Sequence, residues 1–229
     1  MVNINNVYQK VLALANKEQR GYITPQEFNL FADHAQMEMF EQYFYDLNQL
    51  SRINSNSKEY SDIVDNLNEK ISFFEVINAT VTNSGTTLTA STGTEIYRVG
   101  TVMHVDVEIE EVQRNQLLYI NKSPLTKPTD ARPIYVRENE NTIRIYPASI
   151  TAATFDYIKR PITPNWMYVV VNDKPLYNPT GSVDFELHAS EETELVYRIL
   201  ALAGIAVEKP QLTQVAAGLQ GAQIQQEKQ

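Results

Sequence analysis

Four side chains that can bind metals or transfer protons alternate with apolar residues in the run HVDVEIEEV, residues 104–112. A single strand predicted over 95–110 would place them on one face. They are His104, Asp106, Glu108 and Glu110. Ca²⁺ and Mg²⁺ need oxygens that converge at about 2.0–2.6 Å, whereas same-face neighbours on a straight strand are roughly 6.5–7 Å apart. The run is therefore a candidate metal site, a solvated acidic sheet face or a functional negative surface, and a straight strand favours the second.

A second pattern, in residues 132–161, interleaves basic and aromatic side chains. The residues are Arg137, Arg144, Lys159 and Arg160 with Tyr135, Tyr146 and Tyr157. Such interleaving is typical of nucleic-acid faces, and equally of the exposed side of a hairpin, where Arg and Tyr stack across strands. The alternation favours the hairpin, with Ile134 and Val136 towards a core and Tyr135 and Arg137 away from it. The basic residues are also able to pair with Asp106 and Glu108 of another strand or another subunit.

Other routes to catalysis have little support in the sequence. The chain has no cysteine, which excludes disulfides and thiolate chemistry. His34 and Glu38 lie four residues apart on a predicted helix, as half a metal site or, more simply, a surface pair. Phosphate loops, glycine-rich dinucleotide turns and nucleophile elbows are missing. The sequence therefore predicts a protein that is not an enzyme, with no catalytic residue, no cofactor and no bound metal.

Composition and charge narrow the class of protein. The chain has 229 residues, 43% of them apolar, and a net charge of −9, which argues against a nucleic-acid-binding protein as a whole. No signal peptide is evident at the N-terminus, and no apolar run has the length of a membrane span. We therefore expect a protein made in the cytosol that stays there, or in a particle assembled there, without a membrane partner.

The pattern predicts an α+β fold with a helical N-terminal region, residues 1–72. Thr24, Pro25 and Glu27 form a capping-box signature, and a helix predicted over 25–52 would be roughly 40 Å long. Its apolar surface is widened beyond one stripe by aromatic side chains, so we expect it to pack against more than one neighbour. These side chains are Phe31, Phe40, Phe44 and Tyr45. A further helix is predicted over 58–71.

Residues 73–188 are rich in β-branched and aromatic residues with turn signals, which predicts an antiparallel sandwich or barrel-like domain. The predicted strands cover 74–82, 86–90, 95–110, 116–120, 133–138, 142–147, 153–159, 166–171 and 183–187. Residues 189–209 predict a C-terminal helix that packs on the helical region. The tail, 210–229, has only a thin apolar seam and is predicted to be extended and to depend on a partner. The seam is Leu212, Val215, Leu219 and Ile224.

Most of the chain resembles head-to-tail connector proteins (neck rings or adaptors) of tailed bacteriophages, of the podovirus-like or crAss-like kind. The central positions that carry the resemblance are Pro133, Tyr135, Ile143, Tyr146, Pro147, Asp156, Tyr157, Lys159, Pro161, Pro164 and Trp166. The C-terminal ones are Phe185, Glu186, Leu187, Leu195, Val196, Ile199, Leu200, Gly204, Ile205 and Pro210. The run YITPQEFNLFADHAQMEMFEQYFYDLNQ, residues 22–49, is also similar to these proteins.

The resemblance implies a structural ring component of the virion neck, a homo-oligomer of about twelve copies that joins portal and tail. Its partners would be itself, the portal protein and further neck or tail rings, with genomic DNA passing through during ejection without sequence-specific binding. The seam in the tail would contact the portal, and the aromatic surface of the long helix would meet a neighbouring subunit. An acidic channel lining by Asp106, Glu108 and Glu110 would let DNA pass without sticking. The alternative is a tail-associated or receptor- or glycan-binding β-domain protein.

Overall fold

The computed structural model describes residues 1–17, 23–52, 58–82, 85–90, 94–206 and 218. The helices are α1 (Ile4–Lys17), α2 (Pro25–Ser51), α3 (Lys58–Ser72), α4 (Arg114–Lys122) and α5 (Glu192–Ala206). The strands are β1 (Glu75–Thr82), β2 (Thr87–Leu88), β3 (Ile96–His104), β4 (Val107–Glu111), β5 (Ile134–Asn139), β6 (Thr142–Tyr146), β7 (Thr154–Lys159), β8 (Tyr168–Val171) and β9 (Lys174–Tyr177). The α+β fold class is confirmed.

The chain divides into two compact units, one formed by residues 1–73 with 161–229 and the other by residues 74–160. We call them the helical unit and the barrel unit. The predicted β-rich domain ran to residue 188, so its last part falls in the helical unit instead. The physical reason is packing: Trp166, Phe185 and Leu187 are buried, and the ring of Trp166 packs against Tyr8 of α1.

Helix α2 begins and ends almost where the sequence predicted. The Thr24 hydroxyl accepts a hydrogen bond from the Glu27 amide, and the Glu27 carboxylate accepts one from the Thr24 amide. This reciprocal capping box satisfies two amide groups that the helix leaves unpaired at its start. One face of α2 is buried through Phe28, Ala32, Ala35, Met39 and Phe40. α2 and α1 both pack on α5.

The barrel unit is a closed barrel of seven strands in the order β1-β2-β6-β5-β4-β3-β7. All neighbouring pairs are antiparallel except β4 and β5, which are parallel. Closure leaves no free sheet edge. The interior is filled by aliphatic and aromatic side chains. They include Val81, Leu88, Val102, Ile109, Tyr135, Ile143, Ile145, Phe155 and Tyr157.

Gly100 lies at an irregularity of β3, where the register against β7 shifts between Val99 and Val102. A Cβ atom at position 100 would lie 3.0 Å from the carbonyl oxygen of Asp156 on the neighbouring strand. This contact is tighter than most Cβ contacts, so glycine favours the close strand approach at this bulge. The bulge returns Val102 to the barrel interior.

Three of the predicted strands were wrong in detail. Residues 95–110 form two strands, β3 and β4, joined by a tight turn at Val105 and Asp106. Residues 116–120 belong to α4, where the partly buried Leu117 and Ile120 are three apart, a helical spacing. Residues 183–187 make only isolated bridges, Val2 with Phe185 and Asn165 with Val183. β9 was not predicted.

Candidate assembly surfaces

The candidate metal set does not assemble, because the chain reverses within it. His104 pairs with Val107 across the β3–β4 turn, and Glu108 pairs with Met103. The four side chains therefore do not share one straight strand. Within the described ranges, no group of three or more His, Asp or Glu side chains is placed to hold a metal ion. His104 is instead held by a hydrogen bond between its Nδ1 and the carbonyl oxygen of Ala152.

The turn that joins β3 and β4 exposes an acidic and apolar surface. Val105, at the tip, is 80% exposed, and it adopts a positive φ of 56°. Asp106, Glu108 and Glu110 are exposed, while Ile109 between them points into the barrel core. We call Val105, Asp106 and Glu108 the acidic tip. The carboxylates predicted as a negative surface are thus accessible to solvent or a partner.

The basic-aromatic stretch is largely satisfied within its own unit. Arg144 forms an ion pair with Glu138 at 2.9 Å, and Arg160 lies 3.4 Å from Glu95. The Arg137 guanidinium donates to the carbonyl oxygens of Asn139 and Glu140. These bonds are those of a hairpin that stabilises its own turn, so they support the hairpin interpretation of the stretch.

One orientation in that hairpin was predicted wrongly. Tyr135 pairs with Ile145, and it belongs to the barrel core with Ile143 and Ile145. Ile134 and Val136 point the other way and are buried on the outside of the barrel, where α4 contacts β5. β5 is therefore covered on both faces, and alternation alone could not identify its inner face. Burial and the Glu111 carboxylate, which accepts the Tyr135 hydroxyl at 3.1 Å, raise the pKa of Tyr135.

Helix α4 and the loop that follows it carry strongly exposed apolar side chains close in sequence to cations. Leu118 is 67% exposed, Tyr119 77% and Leu125, just after the helix, 91%. Arg114, Leu118 and Lys122 are spaced four apart, which aligns them along one face of the helix. Together with Lys127 in the following loop, these residues form what we call the basic-apolar face. The sequence analysis missed it because the segment was predicted as a strand.

A second exposed apolar element is the hairpin of β8 and β9 in the helical unit. Its turn residues, Asn172 and Asp173, both have positive φ, the conformation of a two-residue type I′ turn. Val169, Val170, Val171 and Leu176 are 45–60% exposed. The base is anchored by Trp166, whose ring stacks with Tyr168 and Tyr177 at 5.7 Å. A two-stranded sheet of this kind is marginally stable alone.

The predicted aromatic interface on α2 is only partly at the surface. Phe40 is fully buried and packs edge-on against Phe44 at 5.0 Å. It therefore belongs to the core of the subunit, which corrects its assignment to an interface. Phe31 and Phe44 are half-buried, and Tyr45 is 62% exposed. The apolar surface of α2 is wide because its aromatic residues pack into the interior of the helical unit. Of the four predicted interface residues, Tyr45 is the one exposed enough to contact a neighbour.

Buried charged side chains lie at the start of α5 and in the turn just before it. Glu191 is 1% exposed and pairs with Lys70 at 2.6 Å. Glu194 accepts from the Arg198 Nε at 2.9 Å, and Arg198 also bonds to Gln42 of α2. Burial, with the neighbouring carboxylates of Glu191 and Glu194, raises the pKa of Tyr43. The i, i+4 spacing of Glu194 and Arg198 was the available signal.

These charged groups line a cleft of about 620 Å³ between α2, α3 and the start of α5. Its apolar part includes Met39, Leu50, Ile63 and Leu67. The size is that of a small-molecule pocket. Its buried charges are already paired with one another, so the visible role of the network is to fasten α5 to α2 and α3.

The remaining predicted site lies outside the described residues. The tail seam of Leu212, Val215, Leu219 and Ile224 falls in residues 207–217 and 219–229, and its contact with a portal stays a prediction. Among the described residues, no helix is both long enough and apolar enough to span a membrane.

Comparison with known proteins adds no family assignment. No protein-family model and no curated protein matches the chain.

Proposed function

We propose that this chain is a structural, non-enzymatic subunit of a ring in the neck of a tailed bacteriophage. In that role it joins the portal to the tail and forms part of the channel through which DNA is ejected. Two lines of support are independent of each other. One is the resemblance in sequence, from Pro133 to Trp166 and again in the C-terminal helix. The other is the exposed apolar surface on both units.

The observation that carries the proposal is the β8–β9 hairpin. Val169, Val170 and Val171 lie in consecutive positions on β8, so apolar side chains project from both faces of the hairpin. A group of exposed apolar side chains usually packs against a partner, and the two strands of the hairpin cannot bury these side chains by themselves. A subunit that is incomplete alone gains stability by associating, as a virion ring component does.

The charge of the chain suits passage of DNA. A net charge of −9 opposes adhesion of a polyanion, so a lumen built from these subunits releases the genome without gripping it. The helical unit would supply partner contacts through the C-terminal tail. Tyr45 on α2 would add to the contact between neighbours.

Mass photometry and averaged negative-stain images of the purified chain test this function. We expect closed rings with a central hole, of about twelve copies, alone or once purified portal is added. A test variant, Val170→Lys, should lower the ring population. It places a charge on the exposed surface of β8 and leaves the core of each unit unchanged. Particles that remain monomers or trimers at all concentrations, with portal present, would contradict the proposal.

A further inference from the structure

The barrel unit carries two exposed surfaces of opposite charge. The acidic tip has the carboxylates of Asp106 and Glu108, and the basic-apolar face has the cations of Arg114, Lys122 and Lys127. Within the described part of the chain, none of these five side chains forms an ion pair, unlike Arg144 and Arg160 in the same unit. Each surface therefore offers charges that are free to meet a partner.

Each surface also has apolar side chains at its centre. At the acidic tip this is Val105, held out from the barrel on a two-residue turn. On the other surface Leu118 lies between Arg114 and Lys122 along the helix, and Tyr119 and Leu125 are exposed close by in the sequence. An apolar centre surrounded by polar side chains is the usual anatomy of a specific protein interface. The two surfaces match in both charge and apolar character.

Helix α4 begins three residues after Glu111, at the end of β4 opposite the acidic tip. The segment 112–133, which contains α4, leaves the barrel after Glu111 and returns beside Glu110, where the Glu110 amide donates to the Pro133 carbonyl. Asp106 is five residues away from Glu111 along β4, about 17 Å. β5, which α4 contacts, continues in the same direction as β4, away from the tip. The acidic tip and the start of α4 thus lie at opposite ends of β4, and the complementary charge of the two surfaces favours a contact between two molecules.

We propose that the acidic tip of one copy docks on the basic-apolar face of a second copy. Val105 would lie against Leu118 and Tyr119, while Asp106 and Glu108 pair with Lys122 and Lys127. Because the surfaces differ, the contact is head-to-tail, and each copy keeps one free surface for the next. Repetition of such a contact closes into a ring or extends as a filament. This inference rests on the proposed ring and names the contact that builds it.

Charge reversal on each side, alone and combined, tests the contact in the full-length chain. The variants are Asp106→Lys with Glu108→Lys, Lys122→Glu with Lys127→Glu, and all four together. We expect each pair to weaken self-association about tenfold or more, since like charges then face each other. The fourfold variant should recover most of the loss. Self-association is measured by sedimentation velocity across a concentration series, and circular dichroism checks the fold.

The control pair is Glu75→Lys with Glu140→Lys, which changes the net charge as much as the acidic-tip pair does. Both residues are exposed in the barrel unit, and self-association should stay within about threefold of the parent chain, as expected for charges remote from a contact. Rings that form equally well in both reversed pairs would overturn the contact and leave the ring itself standing. Loss in the reversed pairs without recovery in the fourfold variant would also overturn it. A parent chain that never associates, either alone or with purified portal, overturns both proposals.

The same variants distinguish a channel-lining role for Asp106 and Glu108 from a role in the contact between subunits. Lining residues face the lumen, so their reversal leaves assembly unchanged and increases DNA retention, which is measured by a filter-binding assay with linear duplex. Assembly that is lost with Asp106→Lys and Glu108→Lys and recovered by the partner reversal assigns the carboxylates to the subunit contact.

Discussion

At the scale of single residues, the turn at Val105 has an unfavourable backbone conformation. A β-branched residue at positive φ is strained, because its Cβ crowds the backbone. Val105 has φ of 56° and is largely exposed, so little packing compensates. Asn at this position tolerates the conformation.

We therefore expect Val105→Asn to stabilise the chain by about 1 kcal/mol, the order of one relieved backbone strain. Urea unfolding followed by circular dichroism measures the change in free energy of unfolding. Val107→Asn is the matched control: Val107 lies in β4, an extended and partly buried position, and should be destabilised. A Val105 variant less stable than the parent would show that contacts of the valine side chain outweigh the backbone strain at this turn.

The same turn shows which side-chain orientations on β3 and β4 could be predicted from the sequence. Alternation placed Ile109 on the face opposite the carboxylates, and Ile109 does lie in the barrel interior, as does its pairing partner Val102 on β3. It missed the reversal between them, since Val-Asp lacks the Asn-Gly or Asp-Gly signal of a tight hairpin. The error moved His104 onto the same face as the carboxylates and created the candidate metal set. The antiparallel pairing of β3 with β4 imposes a turn at Val105 and Asp106 that the local sequence does not favour.

At the scale of elements, the start of α2 depends on the Thr24 and Glu27 capping box. Thr24→Ala removes the hydroxyl that accepts the Glu27 amide, and should lower the free energy of unfolding by about 1 kcal/mol at neutral pH. Thr24→Ser keeps the hydroxyl and is the control. Thermal or urea unfolding gives both values. A Ser variant as unstable as the Ala variant would mean that the cap bond is not the cause.

The pH dependence of this cap has a definite sign. The bonds from the Thr24 amide and hydroxyl hold the pKa of the Glu27 carboxyl below its ordinary value of 4.5. A lowered folded-state pKa gives stabilisation that is present above the unfolded pKa and is lost as pH falls through the folded one. The stability difference between the parent chain and Glu27→Gln should therefore shrink below about pH 4.5. A difference that grew on acidification would contradict the assignment.

Trp166 fixes the β8–β9 hairpin to the helical unit. Its indole Nε1 donates to Asn5, its amide donates to Asn29, and its ring centroid lies 4.2 Å from that of Tyr8. Trp166→Ala should cost about 3–5 kcal/mol, as expected for a large buried aromatic side chain. Trp166→Phe keeps most of the stacking and loses one hydrogen bond, so its cost should be about 1–2 kcal/mol. Chemical denaturation of the parent chain and the two variants measures their free energies of unfolding, which should fall in the order parent, Trp166→Phe, Trp166→Ala.

Elements were predictable where one signal dominated. The α2 helix has a cap, a proline and a long stripe, and its bounds were close to those observed. Segment 116–120 is short and rich in Leu, Tyr and Ile, which both strands and helices accept, so local preference could not decide. β9 carries a proline and a charge, which hides it from strand patterns. Trp166 was found as part of a resemblance, and its anchoring role needed the fold.

At the scale of the whole molecule, the prediction concerns the C-terminal tail. Residues 211–229 have too few apolar side chains to pack by themselves, and the helical unit already has α5 held by buried ion pairs and by α1 and α2. Deletion of 211–229 should therefore leave the melting temperature and self-association unchanged while weakening binding to purified portal. Co-sedimentation of ring and portal measures the binding. The matched control replaces Gln211, Gln214 and Gln220 by Ala, which keeps the seam of Leu212, Val215, Leu219 and Ile224 and should retain binding. Undiminished portal binding by the deleted chain would refute the tail's role, and a lowered melting temperature would show that the tail belongs to the fold of the subunit.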